Sequence, residues 1–175
     1  MTTNDSVQAQ MEELCKAKPV KEHEWLTRLV GQWSYEAEAE MGPDKPKMKT
    51  KGEETVRSLG GLWIIAEGWG EMPDGERGDT RMTVGYNPKT KRYPGTWVGS
   101  MMTHMWVYDG EMDKTGKILT LNAEGPSFLD PSKMAKFQDI IEIVSDDHRI
   151  LRSQFETDSG EWIQFMTANY RRKKK

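Results

Sequence analysis

One segment of the sequence alternates strictly between apolar and polar side chains: Trp33-Ser34-Tyr35-Glu36-Ala37-Glu38-Ala39-Glu40-Met41. A period of two is typical of a β-strand that has one face on a core and the other face in solvent. Before residue 32 the apolar period is close to four, which is typical of helix. The segment therefore predicts a strand, and the remainder of the chain repeats its rhythm.

Two short helices are predicted ahead of this strand. Val7, Met11 and Leu14 recur at spacings of four and three, which places them on one face of a helix. After Pro19 a second helix is expected, and Gly31 is placed to end it in a left-handed conformation. The apolar side of this second helix consists of Trp25, Leu26, Leu29 and Val30.

About ten strands are predicted in all, separated by turns rich in Gly, Pro, Asn and Asp. After the first strand they cover residues 48–58, 62–70, 80–86, 93–100, 104–108, 117–124, 137–144, 149–156 and 161–171. Because the turns are short, neighbouring strands should pair antiparallel. Closing such a sheet on itself removes both exposed edges. We therefore expect a mainly β fold, a single antiparallel β-barrel with one or two short N-terminal helices, and a β-sandwich is the alternative.

Composition limits the classes of partner and location. The net charge of −3 gives no reason to expect nucleic-acid binding. No apolar run approaches the roughly 20 residues of a membrane helix, so no membrane contact is expected. The N-terminus lacks the basic start and apolar stretch of a secretory signal. Cys15 is the single cysteine, which favours a reducing, cytoplasmic setting.

The chain divides into three parts by pattern. Residues 1–18 form an N-terminal extension with a short amphipathic helix, residues 19–172 form the barrel domain, and residues 173–175 form a basic tail. The basic run Arg171-Arg172-Lys173-Lys174-Lys175 is expected to be solvated, with a nucleic-acid or membrane contact as the alternative. A homodimer that pairs through the outer face of the sheet is an open alternative to a monomer.

Several short motifs belong together: His23-Glu24-Trp25-Leu26, Leu29-Val30-Gly31-Gln32-Trp33, Gly85-Tyr86-Asn87, Gly95-Thr96-Trp97-Val98-Gly99-Ser100-Met101 and Leu119-Thr120-Leu121. With the segment from Phe137 onward, they resemble an uncharacterised bacterial family, the domain-of-unknown-function family 1579. The resemblance covers roughly residues 19–172. It implies a calycin-like barrel, related in shape to lipocalins and fatty-acid-binding proteins. It implies no catalytic residue, because that family carries no established activity.

One strand pair supplies the first candidates for the lining of a ligand cavity. Trp97 lies on one predicted strand, and His104 shares a face of the next strand with Trp106. If that face points inward, His104 is a polar group among aromatic rings. A buried polar group needs a partner from protein, water or ligand. No cofactor, metal site or catalytic residue is predicted, because the three His have no second ligand at suitable spacing.

A third strand supplies two further candidates. Glu67 shares a face with Trp63 and Trp69, and a carboxylate among aromatic rings is a candidate for acid–base chemistry. A register change of one residue would move Glu67 outward. In that alternative, Glu67 is exposed and paired with Arg57 or Arg81.

The turn between the strands of Trp97 and Trp106 contains Met101 and Met102 and lacks the residues that tight turns prefer. Two Met side chains at such a tip indicate that something covers them. We expect the N-terminal helices to do so. The alternative makes Met101 part of a flexible apolar gate to the cavity, since thioethers adapt to varied shapes.

Three functions remain open. The leading hypothesis is that the barrel binds a small hydrophobic or aromatic molecule. Its lining would then consist of Glu67, Trp69, Trp97, Met101, His104 and Trp106. The second hypothesis is a structural or interaction module whose seven Trp and twelve Met fill the barrel. The third is an enzyme that acts on a small molecule in the same cavity.

Overall fold

Ten strands form one closed barrel, and two helices precede them. The computed structural model describes residues 3–40, 42, 44–72 and 74–174. The helices are α1 (Thr3–Leu14) and α2 (Lys21–Thr27). The strands are β1 (Gly31–Ala39), β2 (Met48–Leu59), β3 (Trp63–Glu71), β4 (Arg77–Gly85), β5 (Tyr93–Gly99), β6 (Trp106–Met112), β7 (Ile118–Pro126), β8 (Met134–Ser145), β9 (His148–Glu156) and β10 (Trp162–Arg172).

Every strand pairs antiparallel with its neighbours in the chain, and β1 also pairs with β10. Ala37 of β1 lies opposite Ala168 of β10 on one side and Thr50 of β2 on the other. This closure confirms the predicted antiparallel barrel and excludes the β-sandwich. Four residues with sequence-based assignments lie outside the described residues, namely Met1 and Thr2 in the extension, Met41 in the first strand and Lys175 in the tail.

Helix α2 closes one end of the barrel. The ring of His23 meets the ring of Tyr86 edge-on at 5.6 Å between centroids, and Trp25 Nε1 donates a hydrogen bond to the carbonyl oxygen of Gly116 at 3.0 Å. Tyr86 follows β4 and Gly116 precedes β7, so both mark the same end of the sheet. This closed end is filled by buried side chains: Leu26, Leu29, Trp33, Ile64, Val84 and Leu119.

Helix α1 lies apart from this core. Its apolar face, made of Val7, Met11 and Leu14, is exposed. Neither helix, within the described residues, has the length and apolar character needed to span a membrane. The helices therefore contribute to the barrel mainly through α2 and the residues that lead into β1.

Candidate functional site

The interior of the barrel contains a cavity of about 330 Å³. Its lining includes Phe128 of the β7–β8 connection and Met102 of the β5–β6 connection, which are 56% and 42% exposed. Both connections lie at the end of the barrel opposite α2. The cavity therefore reaches the surface at this end, which we call the mouth.

Small residues on the inner face of the sheet leave the volume of this cavity free. Gly68 of β3, Ala123 of β7 and Ala168 of β10 all line it. Larger inward side chains, among them Leu121 of β7 and Tyr170 of β10, line the cavity without filling it. All seven Trp are described, and of these only Trp97 and Trp106 line the cavity. The barrel is therefore not filled by its Trp side chains.

A buried ion pair crosses the inner part of the cavity. The guanidinium of Arg149 on β9 donates a hydrogen bond from Nη2 to the carboxylate of Glu54 on β2. Arg149 is 3% exposed, and its guanidinium carbon lies 4.1 Å from the ring centroid of Tyr170 and 4.9 Å from that of Trp33. These ring faces attract the cation. The two charges and the two rings together hold the Arg149 side chain in place.

A second polar group lies beside this pair. The carboxyl of Asp139 on β8 accepts hydrogen bonds from the hydroxyls of Tyr108 and Ser153. Burial raises the pKa of Asp139 above its ordinary value, and the two hydrogen bonds oppose that rise. Burial also raises the pKa values of Tyr108 and Tyr170 well above normal, and that of Tyr35 to about 12. The phenols therefore stay protonated at neutral pH.

Aromatic rings surround the mouth. All four Phe of the chain cluster there, and the ring of Phe128 makes edge contacts with those of Phe137, Phe155 and Phe165 at 5.1 to 5.6 Å. Phe137 also contacts Trp106, with 4.7 Å between centroids. The cavity is thus apolar and aromatic near the mouth and polar in its interior.

Comparison with known proteins agrees with this architecture. A family model described as "Protein of unknown function (DUF1579)" matches residues 18–172. The chain belongs to this family. The resemblance found in the motifs is therefore confirmed. No curated protein matches the chain.

Solved structures share the fold of this DUF1579 member at low sequence identity. The S-type phycobiliprotein lyase CPES from Guillardia theta is 13% identical, with a TM-score of 0.61, over 87% of this chain and 92% of that chain. Rv2717c from M. tuberculosis is 11% identical, also with a TM-score of 0.61, over 90% of this chain and 100% of that chain. At these identities the likeness concerns the fold alone.

The predicted lining residues of this DUF1579 member separate into two groups. Trp97 and Trp106 lie opposite each other in the β5–β6 register, and both line the cavity. Trp106 Nε1 also donates a hydrogen bond to the sulfur of Met102 at 3.2 Å. The two Trp therefore form one aromatic wall between the mouth and the polar interior.

Glu67 and Trp69 lie on the outer face of β3, in contrast to the predicted placement. The inner face of this strand carries Ile64, Ala66 and Gly68. Glu67 forms ion pairs with Arg81 and Arg57, as the alternative interpretation has it. Trp69 packs outside against the guanidinium of Arg77, at 5.2 Å from its ring centroid. Successive side chains of a strand point to opposite faces. Because the even-numbered residues of β3 face the interior, the odd-numbered Glu67 and Trp69 face outward.

Met101 and His104 lie at the rim and not in the cavity. Strand β6 begins at Trp106, so His104 belongs to the preceding connection, where its Nε2 lies 3.1 Å from the carbonyl oxygen of Glu124. Met101 is exposed in the same connection, whereas Met102 lines the cavity. The helices do not cover these Met residues, because α2 lies at the opposite end of the barrel. The expectation that they do is wrong.

Sequence reasoning missed the polar interior. Arg149 alternates with Leu151, Ser153 and Phe155 on one face of β9, and Asp139 alternates with Phe137 and Ile141 on β8 in the same way: the inner faces are largely apolar and each carries one charge. That isolated charge is the signal that could have identified both residues. Within the described residues, no group of three or more His, Cys, Asp or Glu could hold a metal ion.

Proposed function

We propose that this DUF1579 protein binds a small molecule with an apolar or aromatic body inside its barrel. The observation that carries the proposal is the cavity of about 330 Å³, which reaches the surface at the mouth. Ligand sites are typically concave, largely apolar and supplied with a few polar groups that fix orientation. This cavity has Trp97, Trp106 and Phe137 for the body of a ligand, and Arg149 and Tyr170 for its polar end.

The size of the cavity limits the ligand. Sites for drug-sized molecules span roughly 300 to 1,000 Å³, so this cavity is at the small end. One or two fused aromatic rings, or a short alkyl chain with a polar head, match it. A module with a filled barrel would leave no such volume.

Isothermal titration calorimetry with 2-acetylnaphthalene, a two-ring ketone, tests the proposal. The wild-type chain should bind one molecule per barrel in a saturable manner. Ala123→Phe places a ring in the cavity and should weaken binding at least about tenfold, because the ring occupies the ligand's space. Val107→Phe is the matched control, since Val107 lies on the outer face of neighbouring β6 and is 58% exposed.

Thermal unfolding shows that both variants are folded before they are compared. Native mass spectrometry of the purified chain adds a search for a co-purified small molecule. The proposal is wrong if the wild-type chain shows neither saturable binding nor a co-purified molecule. It is equally wrong if Ala123→Phe binds 2-acetylnaphthalene as tightly as wild type.

A further inference from the structure

One donor inside the barrel has no partner. The Nε of Arg149 is buried and, among the described residues, no acceptor lies within hydrogen-bonding distance of it. Nη2 of the same side chain is occupied by Glu54, and the rings of Trp33 and Tyr170 lie against the guanidinium. A buried donor without an acceptor costs free energy comparable with a lost hydrogen bond. Arg149 lines the cavity, so its guanidinium is within reach of an acceptor carried by a molecule there.

The charge of the lining restricts what that molecule is. Among the described residues that line the cavity, the charged side chains are Glu54, Asp139 and Arg149. Glu54 compensates Arg149, and the lining contains no second cation. Asp139 adds either no charge or one negative charge, so the lining is never net positive. An anionic ligand would therefore move from water into an apolar interior that offers no unpaired positive charge, and that transfer is costly.

A cationic ligand is disfavoured by the hydrogen bonds of the two carboxylates. The Glu54 carboxylate already accepts from Arg149, and both oxygens of Asp139 already accept from Tyr108 and Ser153. A cation at Asp139 would compete with these donors, and one at Glu54 would lie beside the positive charge of Arg149. The buried atom without a partner among the described residues, Arg149 Nε, is a donor, which indicates an acceptor on the ligand.

We infer that the natural ligand is an uncharged molecule whose apolar body lies against Trp97, Trp106 and Phe137 and whose single hydrogen-bond acceptor, such as a ketone or ester carbonyl, is directed at Arg149. This inference rests on the proposed function and adds the chemical class of the ligand. The carbonyl completes the hydrogen bonding of Arg149 and adds no charge to a balanced site. The two rings beside the guanidinium hold the donor in position before the ligand arrives.

The experiment compares two probes of nearly the same shape, 2-acetylnaphthalene and 2-naphthoate, by calorimetry at neutral pH. They share the naphthalene body, and a methyl group in the ketone replaces a carboxylate oxygen in the anion. Wild type should bind the ketone at least about tenfold more tightly, because only the anion brings an uncompensated charge. If neither probe binds, this inference is overturned, and the proposed function fails as well if no small molecule co-purifies with the chain. If the anion binds as tightly as the ketone, the proposed function stands and this inference is overturned.

Glu54→Gln provides the sharper test. It leaves the Arg149 charge uncompensated, so the affinity for 2-naphthoate should rise by about tenfold or more relative to the ketone. Glu67→Gln is the matched control, because the same substitution on the outer face of β3 should leave the ratio of the two affinities unchanged. An unchanged ratio in Glu54→Gln overturns the inference.

Arg149→Lys tests the donor itself and serves if Glu54→Gln does not fold. Lysine keeps the positive charge beside Glu54 but lacks the planar guanidinium and its fixed set of N–H donors. The affinity for 2-acetylnaphthalene should fall about tenfold, while 2-naphthoate should remain the weaker ligand. A variant that binds the ketone with wild-type affinity shows that the Arg149 guanidinium does not meet the carbonyl, and the inference is then overturned.

Discussion

The guanidinium of Arg149 and the carboxylate of Glu54 meet across the inside of the barrel, 95 residues apart in the chain. Their strands, β9 and β2, are not neighbours in the sheet, since β1 and β10 lie between them. The pair therefore connects two sides of the wall through the interior. It also sets the charge balance on which the choice of ligand depends.

Removing one partner of this pair should destabilise the fold strongly. Glu54→Ala leaves Arg149 charged and uncompensated, and loss of one partner of a buried ion pair typically costs about 3–5 kcal/mol. The double variant Glu54→Leu with Arg149→Leu should cost clearly less than Glu54→Ala, because no lone charge remains inside. Urea denaturation measures all three free energies of unfolding.

A solvated acidic residue on the same strand provides the control for this comparison. Glu53 points outward and pairs with Lys173 at 2.6 Å, where both side chains are partly exposed. Glu53→Ala should change the free energy of unfolding much less than Glu54→Ala, since solvent screens that pair. Equal losses of unfolding free energy at the two positions would show that the Glu54–Arg149 pair contributes no more to stability than an exposed ion pair.

Tyr35 occupies space that Gly52 and Gly70 leave open. The loss of stability caused by an alanine at one of these glycines should be reversed by a change at Tyr35. A Cβ on residue 70 would overlap the Oη of Tyr35, while the next atom of that ring, Cζ, would be 3.5 Å away. Gly70→Ala should therefore cost about 1–3 kcal/mol of stability, as overpacking does. Tyr35→Phe removes Oη and should restore most of that loss.

The second glycine is the control for this rescue. A Cβ on Gly52 would overlap the backbone oxygen of Trp69 as well as the Tyr35 ring. Tyr35→Phe should therefore fail to restore the stability of Gly52→Ala. Thermal and urea denaturation of the two pairs measure the difference, and an equal rescue at both glycines would contradict the packing described for Tyr35.

Asp139 makes the stability of the barrel depend on pH. Burial raises the pKa of Asp139, so in the folded chain this carboxyl holds its proton at pH values where it is ionised in the unfolded chain. Its contribution to stability is present below the unfolded value, about pH 3.9, and is lost as pH rises through the folded pKa. Asp139→Asn cannot ionise, so the variant should gain stability relative to wild type as pH rises from about 4 to neutral. Urea denaturation at several pH values gives the difference, and parallel profiles for the two chains would contradict it.

The fold could be predicted from the sequence because its signals are local. Alternation in the segment from Trp33 to Ala39, and Gly, Asn or Asp at the turns, identify strands and hairpins without knowledge of the partner strand. Trp33, Tyr35 and Ala37 do face the interior, as their alternation indicates. In that strand the other face is charged, so only one orientation buries apolar surface.

The cavity was harder to predict because β3 is apolar on both faces. Ile64 and Ala66 point inward, while Trp63 and Ile65 on the opposite parity are equally apolar. Which of the two faces of β3 points inward depends on the space inside the closed barrel. Tyr35 packs there against Gly70, which lies on the same face as Ile64 and Ala66. The pairing of Arg149 with Glu54 is likewise a property of closure, because β2 and β9 are brought to opposite sides of one interior only when the barrel closes.

The ring of Phe128 should control how fast a ligand enters and leaves. It is exposed at the mouth, lines the cavity, and lies against three other Phe rings. Its connection is braced, because Ser127 Oγ accepts hydrogen bonds from the backbone N–H groups of Leu129 and Asp130. Side-chain rotation, which is faster than loop movement, is then the simplest way to open the mouth.

Phe128→Ala should therefore raise both the association and the dissociation rate of 2-acetylnaphthalene several-fold, with a smaller change in the dissociation constant. Stopped-flow fluorescence of the intrinsic Trp residues, of which Trp97 and Trp106 line the cavity, measures both rates. Leu129→Ala is the control, since Leu129 is 67% exposed in the same connection and does not line the cavity. Equal rate changes in the two variants would mean that the connection as a whole, and not the Phe128 ring, limits access to the cavity.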